Sequence, residues 1–188
     1  MSADLARMAA ATACVLAALI FLRAALHKAG DAGRFEGVLA DYGLAPEGAL
    51  RALARIVPAA EFAAAAALAL EPSRMAGAGA GAGLLVAYAA AMGVNLARGR
   101  TEIDCGCGGA PEPLSWALVV RNLVLAGCLA PAAFGLAAPA GWGQVMSAWG
   151  VGLVAFLVWG GMEQLSANAR RMRLDVRLAA GAGLGGAA

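Results

Sequence analysis

The sequence predicts an all-α protein, an integral membrane helical bundle with four to five transmembrane helices, and three observations carry that prediction. Of its 188 residues, 62% are apolar and 14% are charged, against about 45–50% and about 25% in ordinary globular domains; mean hydropathy is +0.74. The apolar residues gather in runs close to the ~20 residues that cross a hydrocarbon core. Small residues dominate and aromatics make up only 6%, so helices can approach closely through Gly and Ala contacts. The formal charge of +2 is dispersed along the chain, which sets aside nucleic acid as a partner, because a phosphate backbone is met by concentrated Lys and Arg. Residues 1–188 read as a single membrane domain with helices at about 5–28, 53–70, 75–97, 114–137 and 142–165, then a segment over 170–188 that is basic and ends in a flexible tail.

The first run, Met8 to Leu26, is apolar except for Thr12 and Arg23. Arg7 before it imitates a secretory signal, but Arg23 follows at once and no small-residue cleavage site leads into a soluble domain, so it reads as a retained helix. His27 and Lys28 mark its exit. Residues 29–55 are charged, and Phe35, Val38, Leu39 and Tyr42 recur at helical spacing, predicting a short amphipathic surface helix ended by Gly43 and Pro46. The second span, Ile56 to Leu70, places Pro58 in its first turn and Glu61 one turn deeper, facing the bundle interior. Glu71-Pro72-Ser73-Arg74 makes a tight turn into Met75–Leu96, whose glycines at 77/81 and 79/83 predict close helix contacts. A polar exit through Asn95, Arg98, Gly99, Arg100, Glu102 and Asp104 leads to the fourth span, starting near Leu114. There Arg121 and Asn122 lie deep enough that Arg121 needs a partner, with Glu61 the best candidate. The fifth run, Trp142 to Met162, has Trp142, Trp149 and Trp159 suited to the interfaces and precedes Arg170, Arg171, Arg173 and Arg177.

Reactive chemistry concentrates in Asp104-Cys105-Gly106-Cys107-Gly108-Gly109. Two thiols separated by one glycine can meet when the chain turns, and a disulfide closed over so small a ring is strained, hence easily reduced and able to pass its oxidation on. Cys105 and Cys107 are therefore the candidate catalytic residues. Arg98 and Arg100 would favour a thiolate, while Glu102 and Asp104 oppose it. Cys14 and Cys128, inside apolar runs, read as buried small hydrophobes. No metal site is expected: zinc needs four ligands and His27 is remote in sequence, although soft thiolates alone would serve copper(I). A non-redox alternative is a transporter or chaperone whose pathway is lined by Glu61, Asn95, Arg121 and Asn122.

Two arguments about orientation oppose each other. With five spans, the arginine-rich tail puts the C-terminus in the cytoplasm and the cysteine loop with it. Cytoplasmic reductants, however, would hold such a pair reduced, so its chemistry favours the periplasmic side.

Taken in order, Lys28, Phe35, Tyr42-x-Leu44-x-Pro46, Pro58-x-x-Glu61, Asn95-x-x-Arg98-Gly99-Arg100, Asp104-Cys105-Gly106-Cys107-Gly108 and Trp116-x-x-x-x-Arg121-Asn122 resemble the methylamine utilisation protein MauE family over about residues 20–125. Where that pattern often carries an aromatic, this chain has Gly109. The resemblance implies a multi-pass accessory protein of the bacterial cytoplasmic membrane, serving processing, transport or maturation of the methylamine dehydrogenase small (β) subunit. It also implies a thioredoxin-like partner of the MauD type. Together with the thiol pair it suggests support of disulfide formation, with a membrane quinone as the candidate electron acceptor, and Glu61, Asn95, Arg98, Arg100, Asp104, Arg121 and Asn122 as supporting polar residues.

Overall fold

The computed structural model of the chain describes residues 3–107, 112–137 and 141–184, with side chains as far as 173. The described elements are α1 (Ala3–Gly30), α2 (Ala32–Tyr42), α3 (Glu47–Ala69), a 3-10 turn (Glu71–Ser73), α4 (Arg74–Ala97), α5 (Trp116–Ala133) and α6 (Trp142–Leu184). Five of the helices, all but α2, are long and apolar enough to cross a membrane. Among the described residues the extended structure amounts to one isolated antiparallel bridge, Asp104 to Pro113. The all-α membrane bundle expected from composition is the fold observed.

The chain forms two compact units, Met1–Phe156 and Leu157–Ala188. In the first, α4 packs most extensively on α5 and α1 on α3, while α3 joins the two pairs through α4. Its inner core is built from Ala10, Cys14, Ala17, Phe21, Ala64, Leu68, Ala78, Leu85 and Leu129. On α1, the buried residues Cys14, Ala17, Ala18, Phe21, Ala25 and Lys28 recur every three or four positions, which is one face of a helix. Outward faces stay apolar, as a lipid-facing surface must: Val120, Leu123 and Val124 of α5 are exposed. Cys128 belongs with them, which corrects its expected burial, since an apolar run does not distinguish core from lipid. The second unit is the end of α6, with Leu157, Val158, Met162 and Leu165 exposed.

Helix α3 starts at Glu47, after Pro46, so Pro58 lies in mid-helix rather than in a first turn. The added N-terminal turns are amphipathic: Leu50 and Ala54 are buried while Arg51 and Arg55 are exposed. Helix α2 is the short surface helix expected between the first two spans. Asp31 caps it, its carboxylate accepting from the Arg34 backbone N–H at 3.0 Å. Gly43 ends it in the left-handed conformation at φ 60°, which a Cβ would resist.

The glycine tract of α4 divides by face. A Cβ on Gly77 would meet the Ala67 carbonyl carbon and the Leu68 nitrogen of α3 at 2.7 Å, and one on Gly81 would meet Phe21 of α1 at 3.0 Å. Gly79 and Gly83 meet nothing within 4 Å, because two residues along a helix is more than half a turn away. Gly77→Ala should therefore cost about 1–3 kcal/mol as an overpacked contact, while Gly79→Ala should be neutral or mildly stabilising. Thermal unfolding of the two variants in detergent checks this, and equal midpoints would contradict the packing.

Candidate thiol site

Because successive spans run in opposite directions, the end of α1, all of α2, the start of α3, the end of α4, the cysteine loop and the start of α5 gather at one end of the first unit. The loop is closed by its own backbone: Cys105 N–H donates to the Glu112 carbonyl at 2.9 Å, and Leu114 N–H to the Ile103 carbonyl at 3.1 Å. Asp104 organises the turn through Oδ1, which accepts from the backbone N–H of Gly106 at 3.2 Å and of Glu112 at 3.3 Å. Its Oδ2 accepts from Arg34 of α2 at 3.2 Å. Gly106 has φ 66°, and a Cβ there would lie 3.0 Å from Val38 Cγ1 and 3.6 Å from the Phe35 ring. Glycine is thus required twice, for the turn and for the close approach of α2.

Helix α2 clamps the loop. The Tyr42 hydroxyl donates to the Cys105 carbonyl at 3.2 Å. Arg100 donates to the Tyr42 and Asp41 carbonyls at 3.2 and 2.6 Å and to Asn95 Oδ1 at 3.1 Å. These bonds satisfy carbonyls left open at the C-terminus of α2. Asn95, fully buried, orients Arg100 while its own amide donates back to Ala91. Tyr42, Met92, Ile103, Leu114, Leu118 and Val119 form an apolar cluster against which Cys105 packs.

Cys105 and Cys107 are both half-buried free thiols. The Cys107 backbone N–H donates to Cys105 Sγ at 3.3 Å, and Cys107 Sγ lies 3.7 Å from the Cys105 carbonyl oxygen. A hydrogen bond from the Cys105 thiol holds Cys107 below the usual thiol range; burial opposes this, and the charges of Arg121 and Lys28 assist it. The same bond pushes Cys105 above the usual range, with burial and the adjacent Cys107 charge adding to it and the Cys107 backbone N–H opposing it. The pair therefore gives up one proton readily and holds the second, which is a sulfur nucleophile beside a sulfur acid.

A buried polar cluster completes this end. Lys28 of α1 donates to Glu61 Oε1 of α3 at 2.7 Å, with the two side chains 6% and 1% exposed. The Tyr88 hydroxyl of α4 donates to the same oxygen at 2.9 Å. The Lys28 ammonium also sits 5.4 Å from the Phe35 ring centroid and 5.6 Å from that of Tyr88, within cation–π range. Glu61 was expected opposite Arg121; its Oε1 is instead bonded to Lys28 and Tyr88, and its Oε2 accepts no hydrogen bond. Lys28 lies two residues beyond the apolar run of α1, which by sequence places it at the membrane exit. Its position every third or fourth residue from Phe21 and Ala25 was the signal of burial.

The remaining sequence candidates divide. Arg98 is exposed at the end of α4, where its backbone N–H bonds to the Val94 and Asn95 carbonyls. The cations whose charge acts on Cys107 are Arg121 and Lys28, rather than the arginines that precede the loop in sequence. Asn122 is buried, its amide donating to the Leu118 carbonyl of its own helix. Among the described residues, three or more His, Cys, Asp or Glu side chains do not come together in a metal-holding group.

The family model for methylamine utilisation protein MauE matches residues 6–138, which run from the first turn of α1 through α5 and include Cys105 and Cys107. Searches among curated proteins and solved structures find no match.

Iodoacetamide at neutral pH should alkylate Cys107 before Cys105. Because Cys107 loses its proton below the usual thiol range of about 8.5, its rate should stop rising with pH earlier than that of a free thiol. Cys105 should stay slow into alkali. Peptide mass mapping of the protein in detergent checks the order, and Cys105 reacting first would overturn this assignment of the thiolate.

Proposed function

The chain belongs to the methylamine utilisation protein MauE family, and from that premise we propose that it supports maturation of the methylamine dehydrogenase small subunit by thiol–disulfide exchange at Cys105 and Cys107. Family membership gives a role in methylamine utilisation, and five span-length apolar helices make the chain a multi-pass membrane protein. The bacterial cytoplasmic membrane is the proposed location. The observation that supports the redox reading is the geometry of the turn: two free thiols one residue apart, held by Asp104 on the Gly106 N–H and Tyr42 on the Cys105 carbonyl, with the Cys107 N–H 3.3 Å from Cys105 Sγ.

In the proposed exchange, a thiolate of a thioredoxin-like MauD-type partner attacks Cys105 of the Cys105–Cys107 disulfide. Cys107 leaves as the better-held thiolate, since a low-pKa sulfur departs faster. The partner's second thiolate then attacks the partner sulfur of the mixed disulfide and releases Cys105, which takes up a proton. Two electrons pass to the pair, and the partner leaves with a disulfide for its client. Regeneration removes two electrons from the dithiol, for which a membrane quinone is the chemical class that suits the setting. The alternative of a non-redox transporter or chaperone draws on Glu61, Asn95, Arg121 and Asn122 as a pathway. The bonds of Glu61 to Lys28, of Asn95 to Arg100 and of Asn122 to its own helix engage these groups within the bundle and weigh against their lining a pathway.

We assign the loop to the periplasmic face. Several cations that the charge count places beside it are matched within the protein: Lys28 by Glu61, Arg34 by Asp104, and Arg100 by the carbonyls ending α2. A membrane-impermeant thiol reagent should label Cys105 or Cys107 in intact spheroplasts after mild reduction; labelling only after lysis would contradict the assignment. Replacing both cysteines with Ser should leave the protein folded and abolish maturation of the small subunit. A thioredoxin-like partner lacking its second active cysteine should be trapped in a mixed disulfide with the wild-type chain. Unchanged maturation by the double variant would sink the redox reading.

A further inference from the structure

Lys28 and Glu61 form a pair buried between α1 and α3, with Tyr88 of α4 on the same carboxylate oxygen. Such a pair is a weak source of stability, because desolvation of both charges offsets their attraction and an apolar pair of similar volume would hold the helices as well. This one is also incompletely satisfied, since Glu61 Oε2 is buried without a hydrogen bond. Its location suggests what it is for. The Lys28 ammonium lies 5.4 Å from the Phe35 ring centroid, and the same ring is approached by the cysteine turn at Gly106, which also meets Val38. Lys28 is also in the last turn of α1, where the helix dipole favours a cation.

We propose that the Lys28–Glu61–Tyr88 cluster sets the oxidising strength of the thiol pair: Lys28 stabilises the reduced pair over its disulfide, and Glu61, by neutralising part of that charge, limits the effect. This rests on the reading of Cys105 and Cys107 as a redox pair. Oxidation removes the sulfur anion and with it the favourable interaction with the Lys28 charge, which a medium of low dielectric strengthens. Holding the reduced form raises the potential of the couple and makes its disulfide a better oxidant. Among the described residues, the charged and titratable groups within electrostatic reach of the Cys107 sulfur include Lys28 of α1, Tyr42 of α2, Tyr88 of α4, Arg121 of α5, and Cys105 and Glu112 of the loop, with Asp104 acting on Cys105. Lys28 is thus a positioning residue that acts by its charge, and Glu61 acts through Lys28.

The test equilibrates the full-length protein in detergent with mixtures of reduced and oxidised glutathione. One dithiol and one glutathione disulfide exchange for one protein disulfide and two glutathiones, and the oxidised fraction is read by alkylation mass shift. Lys28→Met should move the equilibrium toward the protein disulfide by about tenfold, which is about 30 mV for a two-electron couple, and should raise the pH midpoint of Cys107 alkylation. Glu61→Gln should move both in the opposite direction, because it leaves Lys28 in place without its carboxylate. Opposite signs for the two variants are the expected result. Shifts of the same sign, or none, would assign the cluster to helix packing alone and overturn the proposal. Should Lys28→Met not fold, the double variant Lys28→Met/Glu61→Gln, which buries no lone charge, should shift toward the disulfide by less than the single variant, because the opposing charge of Glu61 goes with it, and its equality with wild type would be equally fatal. If the wild-type pair forms no disulfide in any glutathione mixture, the redox reading fails on its own. The alkylation midpoints then still decide whether Lys28 and Glu61 act on Cys107 as stated.

Discussion

A cation and a carboxylate taken out of water together impose the central constraint on this protein. Lys28 and Glu61 come from helices separated by a surface helix, yet their 2.7 Å contact is almost wholly buried. Removing either partner alone would leave an uncompensated charge, at a cost of about 3–5 kcal/mol, so α1 and α3 are held in one register. Tyr88 adds α4 to the same oxygen. The small residues of the spans make this geometry accessible: Gly77 and Gly81 let α4 approach α3 and α1 closely enough for Tyr88 to reach the pair.

On that frame the cysteine loop is a docked element. Arg100 ties the end of α4 to the end of α2, Arg34 ties α2 to Asp104, and Tyr42 bonds the Cys105 carbonyl. The loop is therefore short and polar in sequence but partly buried in space, and its two sulfurs occupy different electrostatic surroundings although one residue separates them.

Much of this was legible from composition and spacing. Period and length reveal a membrane helix because the bilayer demands about twenty apolar residues whatever their neighbours. Gly43 as a helix end and Gly106 as a turn were legible because backbone conformation is a local property. Pro58 was misplaced because the amphipathic start of α3, from Glu47, resembles a surface connection until Leu50 and Ala54 are seen to be buried. Cys128 was misplaced because lipid and core ask for the same side chains.

The sequence by itself determined the all-α membrane class and the family, since these depend on hydrophobic runs and on the order of short motifs, and it singled out the thiol pair as the candidate site by local spacing. Tertiary structure decided which charges meet. Glu61 could have paired with Arg121 by depth alone, but the close approach of α1, α3 and α4 brings Lys28 and Tyr88 to it instead. It also decided which cations act on Cys107, choosing Lys28 and Arg121 over the neighbouring Arg98 and Arg100. The reason is physical: electrostatic coupling follows distance and burial in space, and neither is a function of separation along the chain.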